Sequence, residues 1–468
     1  MQRFAIHLAT ILLVVCLAAS NPAWAGTDTG SAAGSDIKTI KVLDLDTAAK
    51  IALAESPTLA AAQQRVEQAR QLVNQARGSY WPNIFADGSV NRVKMSETQY
   101  KTQVASAQVL NPLATIDNPD DYYKAGVTAN WTVFDGFRRK FTNAAARHGQ
   151  GQSEQALLDS RRLLLSAVAA SYYRAQLANE GVAISAADES FNLKQVSDAN
   201  ARLRVGTGAL SDVLNFEIQA NAAKDDLINA KQEYVVAMTG LAALLGIPDA
   251  KFPEDMSLAA LEEESGTIME MPVQAKQITY AHEHRPDILA SAKGIDRAEA
   301  DIGSAKSRYY PALVLSGNVS GEHSENRFFE GDDVGNSVGL FLTWDLFSGG
   351  ADKARIAEAK HKKKEEIKNL DALKISVANE VNDALTGLKA AQRQLELQRK
   401  NASLVQRNRD LVEKEYAAGQ ASLVRLNEAQ RNLTQAQSRL AFARLSLRFV
   451  WSTLYTATAK SLELYSKY

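Results

Sequence analysis

Ser79-Tyr80-Trp81-Pro82 and Arg308-Tyr309-Tyr310-Pro311 are one short phrase written twice, 229 positions apart (311 − 82). Toward the N-terminus, Ser56-Pro57-Thr58-Leu59 returns as Arg285-Pro286-Asp287-Ile288 at the same shift, so the two proline-to-proline segments align without a gap. Toward the C-terminus, Trp131-Thr132-Val133-Phe134-Asp135-Gly136 returns as Trp344-Asp345-Leu346-Phe347-Ser348-Gly349, and Gly206 returns as Gly419, at a shift of 213 (419 − 206). The first copy therefore carries 16 extra residues (229 − 213), all between Pro82 and Trp131. A repeat of this length sets the architecture before any local propensity is consulted.

Residues 42–248 form the first copy and 273–460 the second. Between them, 249–272 holds Glu262-Glu263-Glu264 and two prolines, with Pro248 just before it, breaks the periodicity and reads as a linker. Residues 1–25 have Arg3 near the start, an apolar run from Ile11 to Ala19 and a small-residue exit at Ala23-Trp24-Ala25, the pattern of a cleaved secretory signal. Residues 26–41 read as a loose lead and 461–468 as a tail. The single cysteine, Cys16, lies in the signal and follows Val15, where lipoprotein processing wants a small residue, so the mature chain is expected to lack thiol chemistry. With 53 basic against 54 acidic residues, nothing in the charge asks for a nucleic acid. No later stretch is apolar for the ~18 residues a membrane helix needs, so only a closed β-barrel could span a bilayer.

In each copy a helix runs up to the Tyr-(Trp/Tyr)-Pro phrase and a strand pair follows. Tyr123, Ala125, Val127, Ala129, Trp131 and Val133 alternate with Lys124, Gly126, Thr128, Asn130 and Thr132. Val338, Leu340, Leu342, Trp344 and Leu346 alternate with Ser337, Gly339, Phe341, Thr343 and Asp345. Period-2 alternation with aromatics near the ends is how a membrane barrel strand reads, and it assigns Val127, Ala129, Trp131, Val338, Leu340, Leu342 and Trp344 to a lipid face. The intervening segment from Met95 to Asp121 is polar, has no clear period and is expected to be an irregular outer loop. Four strands cannot close a barrel by themselves; either they form a soluble sheet or several chains pool them.

From Phe137 to Val205 there is no proline, which predicts one helix about 100 Å long at ~1.5 Å per residue. Leu426, Leu433, Leu440, Leu447 and Leu454 fall seven apart on the return path, as do Leu397, Leu404 and Leu411 on the outgoing one, and such spacing predicts coiled-coil packing. Both hairpins turn at a glycine, Gly206 and Gly419, with Ser211 or Asp212 as candidate caps for the helix after the first turn.

Taken together, the duplication, the Trp-x-x-Phe-(Asp/Ser)-Gly junctions, the Tyr-(Trp/Tyr)-Pro pair and the glycine hairpins resemble the TolC family of outer-membrane efflux and secretion channels over nearly the whole mature chain. The resemblance implies a mixed α and β membrane protein. Each chain would give four strands to a trimeric twelve-stranded barrel in the outer membrane, with its long helices forming a periplasmic α-helical barrel. It implies a homotrimer in contact with outer-membrane lipid, and a periplasmic adaptor protein met at the tips that belongs to an inner-membrane pump of the RND or ABC type. Carried over by position, the adaptor contacts are Gly206, Leu210, Asp212 and Val213 at the first tip and Gly419, Ser422, Leu423 and Leu426 at the second. The entrance constriction would be Asp212, Tyr416, Arg425 and Glu428. Ala421 stands where the family's arginine is expected and Arg425 where an aspartate is, so an Asp212–Arg425 link is expected in place of the usual one.

The sequence offers no Walker loop, nucleophile elbow or Cys/His ligand set, and no cofactor is called for. His282 and His284, two apart on a helix, point to different sides and read as surface or capping residues. Gly303-Ser304-Ala305-Lys306-Ser307 is half a phosphate loop in a helical stretch. Arg138-Arg139-Lys140 and His361-Lys362-Lys363-Lys364 lie at or below the expected membrane surface, where cations can meet anionic groups, or else mark a solvated helix face. The function the resemblance implies is a passive exit duct of a tripartite efflux pump or type I secretion system, opened at its periplasmic tip by adaptor and pump; the alternative is a periplasmic coiled-coil scaffold or adaptor protein without a membrane barrel.

Overall fold

The computed structural model describes residues 40–253, 255–261, 269–324 and 330–465. The expected signal, nearly all of the lead, the Glu262–Glu264 run and the last three residues of the tail lie outside them.

In chain order the first copy contributes β1 (Val42–Leu43), α1 (Leu45–Glu55), α2 (Pro57–Gly78), β2 (Asn83–Val93), α3 (Glu97–Leu110), β3 (Asp120–Asp135), α4 (Arg138–Arg204) and α5 (Leu210–Leu244). A short β4 (Ser257–Leu258) follows. The second copy gives α6 (Gln274–His284), α7 (Pro286–Lys306), β5 (Ala312–Ser324), β6 (Val334–Thr343), α8 (Ala351–Ala417) and α9 (Leu423–Ala457), and a final short helix is α10 (Lys460–Leu464). The duplication is structural as well as textual. Both long helices have 67 residues and both return helices 35, starting at the same shift of 213 (351 − 138 and 423 − 210). The helices α1 and α6 each have 11 residues and start 229 apart (274 − 45).

The segment 249–272 is not featureless: Ser257 and Leu258 pair in parallel with Val42 and Leu43. The chain divides into two compact units, one of residues up to Ser56 with Ala167–Glu263, the other of Pro57–Ser166 with Glu264–Lys467.

In the first unit, Asp44 caps α1 by accepting from the Thr47 amide at 2.7 Å, and the Thr47 side chain, helped by that amide, holds the Asp44 carboxyl below the ordinary range against the opposing effect of burial. The Tyr172 hydroxyl donates to the Leu43 carbonyl at 3.2 Å and Gln176 to the Ala259 carbonyl at 3.1 Å, tying the two-stranded ribbon to α4.

The second unit holds an apolar core in which Val377, Val381 and Leu388 of α8 meet Leu447 and Leu454 of α9, with Ile288 of α7 beside them. The Leu426–Leu454 row behaves as its seven-residue spacing predicts: four of its five members are buried and Leu440 packs against the cluster. By contrast Leu397, Leu404 and Leu411 are 59–64% exposed, so that seven-spaced row has little cover among the described residues.

Two arginines close the C-terminal end of α9. Arg285 donates to the Ala457 carbonyl, a group of the kind a helix end leaves orphaned, and Arg162 to the Thr456 carbonyl, which also accepts from the Ala459 amide, each arginine bond at 3.1 Å. Arg285 is also paired with Asp287 at 2.7 Å and with Glu380, and Arg162 with Asp159 at 2.7 Å. Burial pushes the Asp287 carboxyl up, but the two guanidiniums outweigh it and hold the group below the ordinary carboxylate range. At the positions of the first copy that correspond to Arg285, Asp287 and Glu380 stand Ser56, Thr58 and Ala167, so the first copy has no equivalent of this clamp, although its Arg162 and Asp159 complete the one in the second.

His282 and His284 do not share a site: one ring nitrogen meets the Lys374 carbonyl at 3.1 Å, the other the Tyr280 carbonyl at 3.0 Å. Gly303 lies inside α7 with the Phe141 ring against it, so the half phosphate loop is a close helix approach.

Candidate membrane sheet and hairpin tips

β2, β3, β5 and β6 form one antiparallel sheet in the order β2-β3-β5-β6. Residues opposite one another in an antiparallel ladder point to the same side, so the register fixes which side chains share a face. Ile84 faces Ala129, Ala86 faces Val127, Val127 faces Val319, Trp131 faces Leu315, Leu315 faces Leu340 and Gly317 faces Val338. The alternation noted along single strands is therefore coherent across the sheet: Ile84, Ala86, Val90, Val127, Ala129, Trp131, Leu315, Val319, Val338, Leu340 and Leu342 line one face. Val338, Leu340 and Leu342 are 62–80% exposed. The opposite face carries Asp87, Ser89, Lys124, Thr128, Asn130, Ser316, Asn318 and Ser337. Its side chains bond to each other: Ser316 donates to Asn130 at 2.7 Å, Asn318 to Thr128 at 2.8 Å and Ser320 to Asn318 at 2.9 Å. At the far end, Arg92 grips Asp121 with two bonds of 2.7 and 2.8 Å.

β6 stops at Thr343, so Trp344 and Leu346 stand just past the strand. The Trp344 indole donates to the Tyr309 carbonyl at 3.2 Å, as the Trp131 indole does to the Tyr80 carbonyl at 3.0 Å. Each copy thus pins its tryptophan to the backbone of its Tyr-(Trp/Tyr)-Pro phrase, a bond that sequence spacing alone does not disclose. Beyond the strands the chain turns through two left-handed residues, Gly136 and Phe137 in one copy and Gly349 and Gly350 in the other. Arg139 locks the first junction by donating to the carbonyls of Ser79 at 3.3 Å and Val133 at 3.0 Å.

The expected irregular loop between β2 and β3 contains a helix instead, α3, which buries no residue. It stands on local chemistry: the Ser96 hydroxyl accepts from the Gln99 amide at 3.3 Å, and Glu97 pairs with Lys101 at 2.6 Å.

At the hairpin ends Gly206 and Gly419 adopt φ of 78° and 75°, the left-handed turn that closes a helix. The amides of Thr207 and Gly208 return to the Arg202 carbonyl, and those of Gln420 and Ala421 to that of Glu415. Ser422 is a true cap, accepting from the Arg425 amide at 3.3 Å. Neither Ser211 nor Asp212 caps α5: the cap position is Ala209, and Asp212 sits in the first turn, where the helix dipole favours its charge. Leu210 is 58% exposed, whereas Val213 and Leu426 are turned inward at 3% and 0%. Arg425 pairs with Glu415 at 3.0 Å inside its own hairpin, a partner the sequence did not suggest. Glu428 is exposed and Tyr416 half-buried.

Against known proteins, the family described as outer membrane efflux protein matches residues 48–247 and 278–460. The chain belongs to that family. As an outer membrane efflux protein it matches in two segments that fall within the two copies. It is 26% identical to Protein CyaE of Bordetella pertussis over 417 residues, 88% of this chain and 82% of that protein. It is 24% identical to Nodulation protein T of Rhizobium leguminosarum bv. viciae over 312 residues, 66% of this chain but only 63% of that protein's length. The fold agrees with the Campylobacter jejuni CmeC outer membrane channel at a TM-score of 0.74, with 18% identity over 90% of this chain and 89% of that one. It also agrees with the Vibrio cholerae outer membrane protein VceC at 0.70, with 18% identity over 88% and 95%. The mixed fold of long helices and a strand region expected from sequence is that of these outer-membrane channels, and the outer membrane is where this efflux protein resides.

Proposed function

We propose that three copies of this chain form a passive exit duct across the outer membrane, performing no bond chemistry. The observation that carries this reading is the sheet, with one apolar face, an opposite face that is polar except for Phe85, Val314 and Phe341 near one end of the strands, and two edge strands, β2 and β6, each paired on one side only. Strands of 10–16 residues are long enough to cross the hydrocarbon, which takes about 9–11 tilted residues. Three sheets of four strands close a barrel of about the size that encloses a pore. Similarity to TtgC of Pseudomonas putida, described as a probable efflux pump outer membrane protein, supports service to a pump, and a secretion system is the other export route such a duct would serve. An adaptor of an inner-membrane pump would engage the tips at Gly206, Leu210, Asp212, Gly419, Ser422 and Leu423, with Val213 and Leu426 packing the hairpins from within. Asp212, Tyr416, Arg425 and Glu428 would line the entrance. Opening would then require the Arg425–Glu415 pair to hold or yield as the hairpins rotate, and an Asp212–Arg425 link between copies would compete for the same guanidinium. Reconstituted in a planar bilayer, the purified protein should give uniform conductance steps, enlarged by Arg425→Glu. A soluble monomer without conductance would sink the proposal.

A further inference from the structure

Where α7 ends beside the start of α8, a pocket of about 450 Å³ is lined by Lys306, Tyr309, Tyr310, Lys353, Ile356 and Lys360. All three lysines are exposed, and none of them forms an ion pair among the described residues. The nearby acids are already engaged, Glu299 by Lys363 at 2.7 Å and Asp352 by Arg355 at 3.2 Å. Lys306 feels the charge of Glu299, yet three ammonium groups around one cavity, none of them ion-paired among the described residues, repel each other, and an anion placed among them relieves that repulsion.

The surroundings say which anion. The Trp344 indole holds the Tyr309 carbonyl, and Tyr310-Pro311 leads straight into β5, whose Leu313 and Leu315 face Leu342 and Leu340 of β6. The cationic pocket therefore lies at the foot of the apolar face, with aromatic rings at the boundary, the arrangement side chains adopt where hydrocarbon gives way to headgroups. A free inorganic anion would use the lysines but not the apolar wall. Moreover, the first copy places the same chemistry at the same shifts: Arg77 for Lys306, Tyr80 and Trp81 for Tyr309 and Tyr310, Lys140 for Lys353 and Arg147 for Lys360. Ile356 meanwhile becomes Asn143, so the cations and rings persist where a neighbouring position has drifted.

We propose that this pocket of the second repeat binds the phosphate head of an anionic phospholipid from the periplasmic leaflet, its acyl chains lying along the apolar face of the sheet. The proposal rests on the membrane reading of that sheet. Its test uses the whole protein in nanodiscs of phosphatidylglycerol or of phosphatidylethanolamine, probed by an amine-acetylating reagent. Lys306, Lys353 and Lys360 should be protected in the first lipid and modified in the second; equal modification in both overturns the proposal. If inorganic phosphate protects them equally in lipid-free detergent, the site is one for small anions and the lipid assignment falls. Failure to enter nanodiscs at all would instead bring down the membrane reading. As a second measurement, the Lys306→Gln, Lys353→Gln, Lys360→Gln variant should retain less phosphatidylglycerol in native mass spectrometry, by about fivefold per lysine at that site. Unchanged retention of that lipid by the variant would also overturn the proposal.

Discussion

Single residues decide the junctions between strand and helix, and the two copies differ there in a way that can be measured. Gly136 and Gly349 both have φ near 60–65°, yet a Cβ on Gly136 would run into the Ser307 carbonyl and the Tyr310 side chain, whereas one on Gly349 meets open space. Gly349→Ala should therefore cost only the left-handed strain, about 1 kcal/mol, while Gly136→Ala must also displace backbone and should cost about 3 kcal/mol or abolish folding. Comparing the thermal midpoints of the two variants checks this; equal losses would contradict it. The ionic clamp is a second residue-scale device. Arg285→Met leaves Asp287, Glu380 and the Ala457 carbonyl short of a partner and should cost about 3 kcal/mol, at the low end for a buried pair because Glu380 is 45% exposed. Because the Asp287 pKa is lowered by folding, the stability this carboxylate contributes is present above the ordinary carboxylate range and is lost as pH falls through the lowered value. Asp287→Asn should flatten the acid limb of the stability profile, as read by circular dichroism between neutral pH and pH about 2.

At the scale of elements, the sequence discloses what writes a long pattern and hides what does not. The Leu426–Leu454 seam was legible because its packed face repeats every seven residues, although the equally regular Leu397–Leu411 row is exposed, and the long helix after Phe137 was legible because no proline interrupts it. Helix α3 was not, because it buries nothing and so writes no apolar stripe; it is held by a cap and an ion pair that span only three or four residues. The indole bonds of Trp131 and Trp344 and the Arg425–Glu415 pair were equally hidden, since each joins separate elements whose register the sequence does not print. The two leucine rows predict different outcomes. Leu447→Ala opens the buried cluster of the second unit and should cost about 2–5 kcal/mol in any state. Leu404, 64% exposed, should be replaceable within about 0.5 kcal/mol in the isolated chain. If that row is covered by another copy, however, Leu404→Asp should weaken assembly while leaving helical circular dichroism unchanged. An assembly indifferent to Leu404→Asp would leave the row as plain solvent-exposed leucine.

On the scale of the whole molecule, the edges of the sheet set the terms of assembly. The 11 residues of β2 and the 10 of β6 each pair on one side, which leaves backbone donors and acceptors along both outer rims of the sheet. Water can satisfy such groups, but hydrocarbon cannot, and each unpaired group in lipid costs several kcal/mol. The same sheet presents a continuous apolar face that water disfavours. One chain cannot meet both demands. Pairing β6 of one copy with β2 of the next removes both rims at once, and closed cyclic symmetry lets the arrangement end without leaving a new edge. Four strands per copy make three copies the closure that gives twelve. The number can be counted directly: co-expressing chains with and without a charged tag, then separating intact assemblies by native electrophoresis, should yield four species for a trimer, from untagged through to fully tagged. Three species would mean a dimer, and a single untagged monomer band in the membrane fraction would show that the edges are satisfied in some other way.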